Sequence, residues 1–518
     1  MAWPDADRCR RNYPRLANET HFVVEVAPAR RMIARRLRGI GPGAAEMLVR
    51  TMHVVIFTKM FCGTVRRHFL QTRRFPPHAI LVSFILGATL VSPAGLRAED
   101  SPEQGEEAVT ARFQATYVWQ SKRPFGAAYS GAHSLSADRE KSYSFTATAF
   151  LGARPWAGGE LYFNPEVAQG VPLSHLTGMG GFSNGEIARV SGPDPTLYRA
   201  RLFLRQTWGL GGESESVEAD NNQFAGKIDK RRLVLTAGNF SVLDLFDDNA
   251  YSHDPRTQFL NWSLMTHGAY DYAADARGYS WGMVVEYFHD DWALRAGRFI
   301  QPKEPNQQSL DPAIFRHYGD QIELERAYTL GSQPGRVRLL AFRNRAEMSR
   351  YQDALDLAAQ TGGTPDINAV RTGEQVKRGY GINIEQAAST NLGLFARASW
   401  ADGQTETYAF TEIDRSLSGG VLINGGAWGR GRDTLGFALA RNELSTEHRN
   451  YLAAGGLGFF IGDGQLNYRP ESVLETFYNL NFARRAWISL DFQHIRNPAY
   501  NADRGPVNVG SVRLHAEF

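Results

Sequence analysis

The sequence predicts an all-β fold: a transmembrane antiparallel β-barrel of about 16 strands, with short periplasmic turns and long extracellular or inward-folded loops. Three observations carry this expectation. Segments of roughly ten residues alternate apolar and polar side chains and are separated by turns or longer polar stretches, the pattern of barrel strands. The chain ends on such a segment: Val512, Leu514, Ala516 and Phe518 fall on one face, and Ser511, Arg513, His515 and Glu517 on the other, because successive side chains of a strand point to opposite sides. The composition is aromatic (12%) and rich in glycine (51 residues), yet mean hydropathy is only −0.36. A helical membrane protein needs apolar runs of about 18 residues or more, and the longest here spans only Ala79 to Val91. A barrel alternates, so its mean hydropathy stays low.

Residues 1–98 read as a leader. Arg66, Arg67, Arg73 and Arg74 precede the apolar run at 79–91, and Pro93-Ala94-Gly95-Leu96-Arg97-Ala98 supplies small residues for a cut after Ala98, the layout of a secretory signal. Met52 or Met60 is a more natural start for that signal than Met1. Residues 99–110 read as a short periplasmic segment and 111–518 as the barrel. The leader holds 16 of the 57 basic and 5 of the 54 acidic residues, which leaves 41 and 49, a net charge of −8. The apparent basicity belongs to the leader, so it gives no support for nucleic-acid binding. Cys9 and Cys62 also lie there. The rest of the chain therefore has no disulfide, no thiolate nucleophile and no cysteine metal site.

The strand pattern recurs along the chain. Phe113, Ala115, Tyr117 and Trp119 alternate with Arg112, Gln114 and Thr116, and Tyr143, Phe145, Ala147 and Ala149 with Ser144, Thr146 and Thr148. Tyr198, Ala200, Leu202 and Leu204 alternate with Arg199, Arg201, Phe203 and Arg205. Ile322 and Leu324 oppose Gln321, Glu323 and Glu325; Leu392, Leu394, Ala396 and Ala398 oppose Gly393, Arg397 and Ser399. Trp119, Trp208, Trp281, Tyr287, Trp292, Trp400 and Trp487 stand near segment ends, where a barrel places its interfacial girdles. Short connections such as His289-Asp290-Asp291 contrast with three long ones, Asn164–Pro195, Val242–Gly278 and Glu347–Gln375. Met348 to Gln360 has helical composition and is placed to fold inward.

Several blocks together resemble the OprB-type carbohydrate-selective porin family. They are Thr116-Tyr117-Val118-Trp119-Gln120, Ser142 to Phe150, Glu160-Leu161-Tyr162-Phe163-Asn164-Pro165-Glu166, Arg199 to Gln206, Asp244 to Asn249, and Asn497 to Pro506 leading into Leu514-His515-Ala516-Glu517-Phe518. The resemblance covers nearly all of 111–518. It implies a Gram-negative outer-membrane porin for passive diffusion of small hydrophilic solutes, carbohydrates first, with no catalysis and no cofactor. Its partners are then outer-membrane lipid, the barrel assembly machinery and the solute, with a monomer favoured over a trimer. Phe518 resembles the terminal aromatic that serves such barrels as an assembly signal. Some relatives are associated with manganese instead, so a divalent-cation porin is the alternative reading. A barrel enzyme or adhesin is a remote third.

Charged residues opposite an apolar face are expected to line the pore: Arg199, Arg201 and Arg205, with Arg298, Glu323, Glu325 and Arg397 as further candidates. A cation facing lipid near the midplane costs roughly 2–4 kcal/mol. The arginine fork suits either vicinal sugar hydroxyls or lumen carboxylates; in the second case the arginines form a structural lattice with Glu160, Glu323 or Glu325. Asp244, Asp247, Asp248 and Asp254 crowd one long segment. They read as a constriction or a site for a hard cation, which prefers several carboxylate oxygens, or simply as a solvated loop. Trp262, Tyr270 and Tyr272 of the same segment are candidates for stacking on a pyranose or for packing the loop. Gly181-Phe182-Ser183-Asn184-Gly185 fits a hydrolase motif, but it lies in loop-like sequence and lacks the strand and helix that a nucleophile elbow needs.

Overall fold

The computed structural model describes residues 107–518 except residue 188. The leader expected over 1–98 lies outside the described residues.

Burial along the strands runs opposite to that of a sheet in water. In the second strand, Ser142, Ser144, Thr146 and Thr148 are buried while Tyr143, Phe145, Ala147 and Ala149 are partly open. Elsewhere Glu323, Arg338, Asn383 and Gln493 are buried, whereas Ile322, Leu339, Leu417 and Leu490 are exposed. A wall with its apolar face open and its polar face covered is stable only in an apolar solvent, which is the lipid side of a membrane barrel.

Sixteen strands close this wall into a barrel. They are β1 (Val109–Lys122), β2 (Glu140–Trp156), β3 (Gly159–Val171), β4 (Thr196–Gly209), β7 (Arg232–Phe240), β8 (Ser280–His289), β9 (Trp292–Ile300), β10 (Tyr318–Leu330), β11 (Gln333–Glu347), β12 (Glu374–Ser389), β13 (Leu392–Ala401), β14 (Arg415–Asn424), β15 (Thr434–Glu443), β16 (Glu471–Ala483), β17 (Ala486–Arg496) and β18 (Val507–Glu517). Two short strands, β5 (Ser214–Val217) and β6 (Gly226–Asp229), pair with each other between β4 and β7. Each barrel strand pairs antiparallel with its neighbour. The seam joins β1 to β18 over Gln114–Glu517 through Lys122–Val509. Phe518 extends it: its N–H donates to the Phe113 carbonyl (2.8 Å) and its carbonyl accepts from the Phe113 N–H (3.1 Å). No helix among the described residues is long and apolar enough to cross a membrane.

One end of the barrel carries tight turns at Ala157–Gly158, Asp290–Asp291, Gly331–Ser332, Thr390–Asn391 and Arg484–Arg485. The same end holds the β4–β7 connection with its small β5–β6 hairpin, while the other end carries the loops at 172–195, 241–279 and 348–373, which marks it as extracellular. Trp208, Tyr287 and Trp292 face outward near the tight turns, and Trp281 near the long loops. Trp487 departs from the expected girdle. It pairs with His515 on the inner face, its ring 5.8 Å from the imidazole.

Two of the three long connections fall close to their expected limits. The third, expected from Asn164, starts later because β3 continues to Val171 through a bulge at Pro165. Proline cannot donate to the ladder and is tolerated at such an irregularity. The predicted helical stretch is α2 (Tyr351–Thr361), which buries Tyr351 and Ala354 and leaves most of its other side chains exposed. It packs near α3 (Thr446–Ala453). The four-residue α1 (Trp262–Met265) lies within the second long loop, capped by Asn261.

Candidate functional site: a loop across the lumen and the passage beside it

The second long loop, residues 241–279, enters the barrel and is fastened to its inner wall on many strands. Its centre is Asp247, fully buried. The carboxylate accepts from Arg397 Nε of β13 (3.0 Å), the Thr266 hydroxyl (2.6 Å), the His267 N–H (2.6 Å) and Asn383 of β12 (2.5 Å). Arg397 also donates to the carbonyls of Leu264 (3.0 Å), Ser252 (2.7 Å) and Asp247 itself (3.2 Å). Further along, Glu323 of β10 accepts from the Asp247 N–H (2.8 Å), and Glu475 of β16 from the N–H groups of Leu260 (2.5 Å) and Asn261 (2.9 Å). Arg513 of β18 donates to the carbonyls of Pro255 (2.6 Å) and Gln258 (2.7 Å). The inward charges of the wall thus serve to hold backbone groups that have left water. Buried polar groups without partners are costly.

Burial opposes ionisation of Asp247, but Arg397, His267 and the hydrogen bonds from Thr266 and the His267 N–H together more than offset it and hold the carboxyl well below its usual range. His267 lies 3.4 Å from Asp247. Burial pushes its imidazole down to about 4, against the pull of Asp247. A histidine whose folded-state value lies below its unfolded value near 6.5 contributes stability that is complete above pH 6.5 and lost as pH falls towards 4. Wild-type protein in detergent is therefore expected to lose thermal stability between pH 6.5 and 4, by up to about 3 kcal/mol from this group. A His267→Gln variant should show a flatter profile over that window. Equal slopes in differential scanning measurements would refute the assignment.

A second loop, residues 172–195, also turns inward. Gly180 and Gly181 N–H groups donate to Glu471 (2.9 and 2.8 Å), and the Ser183 carbonyl accepts from Gln120 (2.8 Å) and Gln493 (2.9 Å). The Ser183 hydroxyl is buried against Gln120 (3.0 Å), with no base aimed at it, so the hydrolase-like motif is loop structure. Between the two loops and the wall of β2–β4 lies a pocket with a volume of about 170 Å³, the candidate passage. One side is charged. Arg256 reaches Glu186 (2.8 Å) and Glu166 (3.4 Å), and Arg201 grips Asp244 with two bonds of 2.7 and 2.6 Å. Tyr198 donates to Glu166, and Tyr279 lies 5.2 Å from the Arg201 guanidinium. The other side is aromatic: Trp262 stacks on Phe410 at 5.4 Å and an angle of 5°, with Tyr272 at 4.8 Å from the same ring.

The geometry sorts the residues anticipated from the sequence. Arg201 lies at the passage. Arg205 faces inward nearer the tight-turn end, 3.7 Å from Glu160 and bonded to the Asn222 carbonyl (2.9 Å). Glu323 and Glu325 face inward and share Arg295, each at 3.1 Å. Arg397 faces inward but is sealed beneath the loop, only 2% exposed. Arg199 does not face the lumen. The β3–β4 bulge skips Ala200, so Arg199 pairs with Pro165 on the outer face, 5.0 Å from the exposed Trp281 ring. Arg298 is also outward. It is the cross-strand partner of exposed Met283 and pairs with Asp320 (2.7 Å), which in turn binds Arg343 (2.8 Å). Both stand near the extracellular rim, where a cation facing lipid costs only about 0–1 kcal/mol.

The acidic cluster is dispersed. Asp244 is committed to Arg201, Asp247 to Arg397, and Asp254 to the Arg256 N–H (2.9 Å); Asp248 keeps an open carboxylate 3.6 Å from Arg338. Among the described residues no group of three or more acidic, histidine or cysteine side chains is arranged to hold a metal ion. Of the aromatics, Trp262 and Tyr272 line the passage, while Tyr270 is buried between Tyr272 and Phe342. Arg256, Glu186, Glu166, Tyr198 and Tyr279 were not singled out in the sequence. Their only local signal is a lone cation, Arg256, inside an acidic segment.

The family model described as carbohydrate-selective porin, OprB family, matches residues 143–518. The chain belongs to this family. Among solved structures, OprB of Pseudomonas putida is similar with a TM-score of 0.61 and 16% identity, covering 79% of this chain and 94% of that one. A loop L8 deletion mutant of OmpT, an outer membrane protein of Vibrio cholerae, is more distant, with a TM-score of 0.42 and 12% identity over 80% of this chain and 100% of its own. Among curated proteins none matches the sequence. Family and fold place the chain in the outer membrane of a Gram-negative bacterium as a porin, in contact with membrane lipid on its outer face.

Proposed function

We propose that this OprB-family porin passes small carbohydrates down their gradient through the passage between the two inward loops, and that it catalyses no reaction. The observation that carries this is the pairing of a charged wall, Arg201, Arg256, Glu166 and Glu186, with an aromatic wall, Trp262, Tyr272 and Phe410. Guanidinium and carboxylate groups donate to and accept from sugar hydroxyls, and a flat ring covers the apolar face of a pyranose. Such binding is multi-point, so each contact can be weak enough for the solute to leave. The dispersal of the aspartates among arginines does not favour a divalent-cation channel. Phe518, hydrogen-bonded at the closing seam and open to the outside, is positioned for recognition by assembly machinery. The strand order closes within one chain, so a single copy suffices to form the pore.

The test is planar-bilayer recording of the purified protein, titrated with glucose and then with manganese. Millimolar glucose is expected to block the ionic current and manganese to leave it unchanged. Block by manganese with indifference to glucose would overturn the reading, as would an absence of conductance.

A further inference from the structure

The outer face of β14–β17 carries a groove of about 690 Å³ near the extracellular rim. Its lining comes from two cross-strand rows. The upper row runs Leu417, Arg441, Ser472, Arg496 and the lower Gly419, Leu439, Leu474, His494. Small side chains, Ser472 above and Gly419 below, make the depression, and longer ones stand on either side of it. Arg441 and Arg496 flank Ser472 on adjacent strands. Strands lie about 4.8 Å apart, so the two arginine backbones are roughly 10 Å apart, a span that two guanidinium side chains close on one small anion.

The charge at this place is unbalanced. Arg441 touches Glu443 at 2.8 Å and keeps 60% of its side chain exposed. Glu443 is also the cross-strand partner of Arg415. Arg415 and Arg496 are exposed and have no acidic partner among the described residues. Three arginines therefore face one carboxylate, on a surface that elsewhere displays Leu417, Leu439, Phe437, Leu490 and Phe492 to lipid. Arg496 ends β17 and Arg441 lies two residues from the end of β15, which sets the cations at headgroup height and the leucines at acyl-chain height. Arginine binds phosphate oxygens through paired N–H groups.

We propose that this groove is a binding site for a phosphorylated lipid of the surrounding outer leaflet. Arg441 and Arg496 clamp the phosphate above the Ser472 hydroxyl, and an acyl chain lies along Leu439 and Leu474. A second copy of the chain is a poorer occupant, because its own matching face would set arginines against arginines.

The test uses the purified protein in nanodiscs of neutral phosphatidylcholine, with or without phosphatidic acid as the probe, read by native mass spectrometry after release and by thermal melting. Phosphatidic acid is expected to be retained and to raise the melting midpoint, while inorganic phosphate at the same concentration does neither. Arg441→Gln combined with Arg496→Gln should reduce retention at least tenfold, with conductance and the midpoint in neutral lipid unchanged. Arg485→Gln, at the opposite rim, should retain the lipid. Equal retention by the double variant would overturn the proposal. So would a stable oligomer in neutral lipid that the same two substitutions dissociate, which would make the face a subunit contact.

Discussion

Replacing Arg397 by methionine is expected to free the loop at 241–279 from the β13 wall and to raise single-channel conductance while the barrel stays folded. The substitution leaves the Asp247 carboxylate buried without its cation and deprives the Leu264, Ser252 and Asp247 carbonyls of a donor. Breaking one side of a buried ion pair typically costs about 3–5 kcal/mol. The barrel wall does not bear that cost, since its backbone ladder runs unbroken through Arg397 to Asn383 and Ser418. The loop bears it, and loops with fewer apolar contacts open first. Removing the second charge with Asp247→Asn in the same chain should restore part of the lost closure, because an uncharged pair carries no stranded ion. Larger, noisier openings in the single variant and smaller ones in the double variant are the expected record. Wild-type conductance in the single variant would show that the loop is held by its other attachments alone.

The barrel itself was legible because the side-chain period of a strand is two and the two sides of this wall meet different solvents. That logic placed Val512, Leu514 and Ala516 outward and Ser511, Arg513 and His515 inward, as the register has them. It failed where a single residue changes the count. The bulge at Pro165 turns Arg199 to the outer face while Arg201 and Arg205 stay inside. It failed also at the rim. Arg295 and Arg298 lie on opposite faces of β9, and the inward one is Arg295, which joins Glu286, Glu323 and Glu325. Near the headgroups a cation on either face is cheap, so charge alone does not reveal the face there. Contacts made across the lumen left no local pattern at all. Arg256 meets Glu186 and Glu166 from a distant part of the chain, and no spacing rule links them. The acidic segment was visible as a composition, but its carboxylates were read as neighbours when the fold sends Asp244, Asp247 and Asp248 to three different strands and keeps Asp254 on the backbone of its own loop.

Neutralising Arg201 and Arg256 together, each to glutamine, is expected to make the passage strongly cation-selective and to weaken glucose block by on the order of 10-fold or more. The two arginines balance Asp244, Glu166 and Glu186. Without them three carboxylates face one narrow space. Unit charges 4 Å apart interact by about 4 kcal/mol at an effective dielectric constant of 20, and a confined wall is screened by salt less than an open surface is. The reversal potential in a potassium chloride gradient should therefore move towards the potassium value, most at low ionic strength. Glucose loses two charged donors, and a hydrogen bond to a charged group contributes about 1.5–3 kcal/mol. Arg256→Lys separates charge from geometry. It keeps the cation and so should hold the reversal potential near wild type, yet it lacks the fork that bridges Glu186 and Glu166, so sugar block should still weaken. An unchanged reversal potential in the glutamine pair would mean that ions and solute do not run past β4 at all. Their route would then lie along the opposite wall, past the open Asp248 carboxylate and the lattice of Arg336, Arg338 and Glu385.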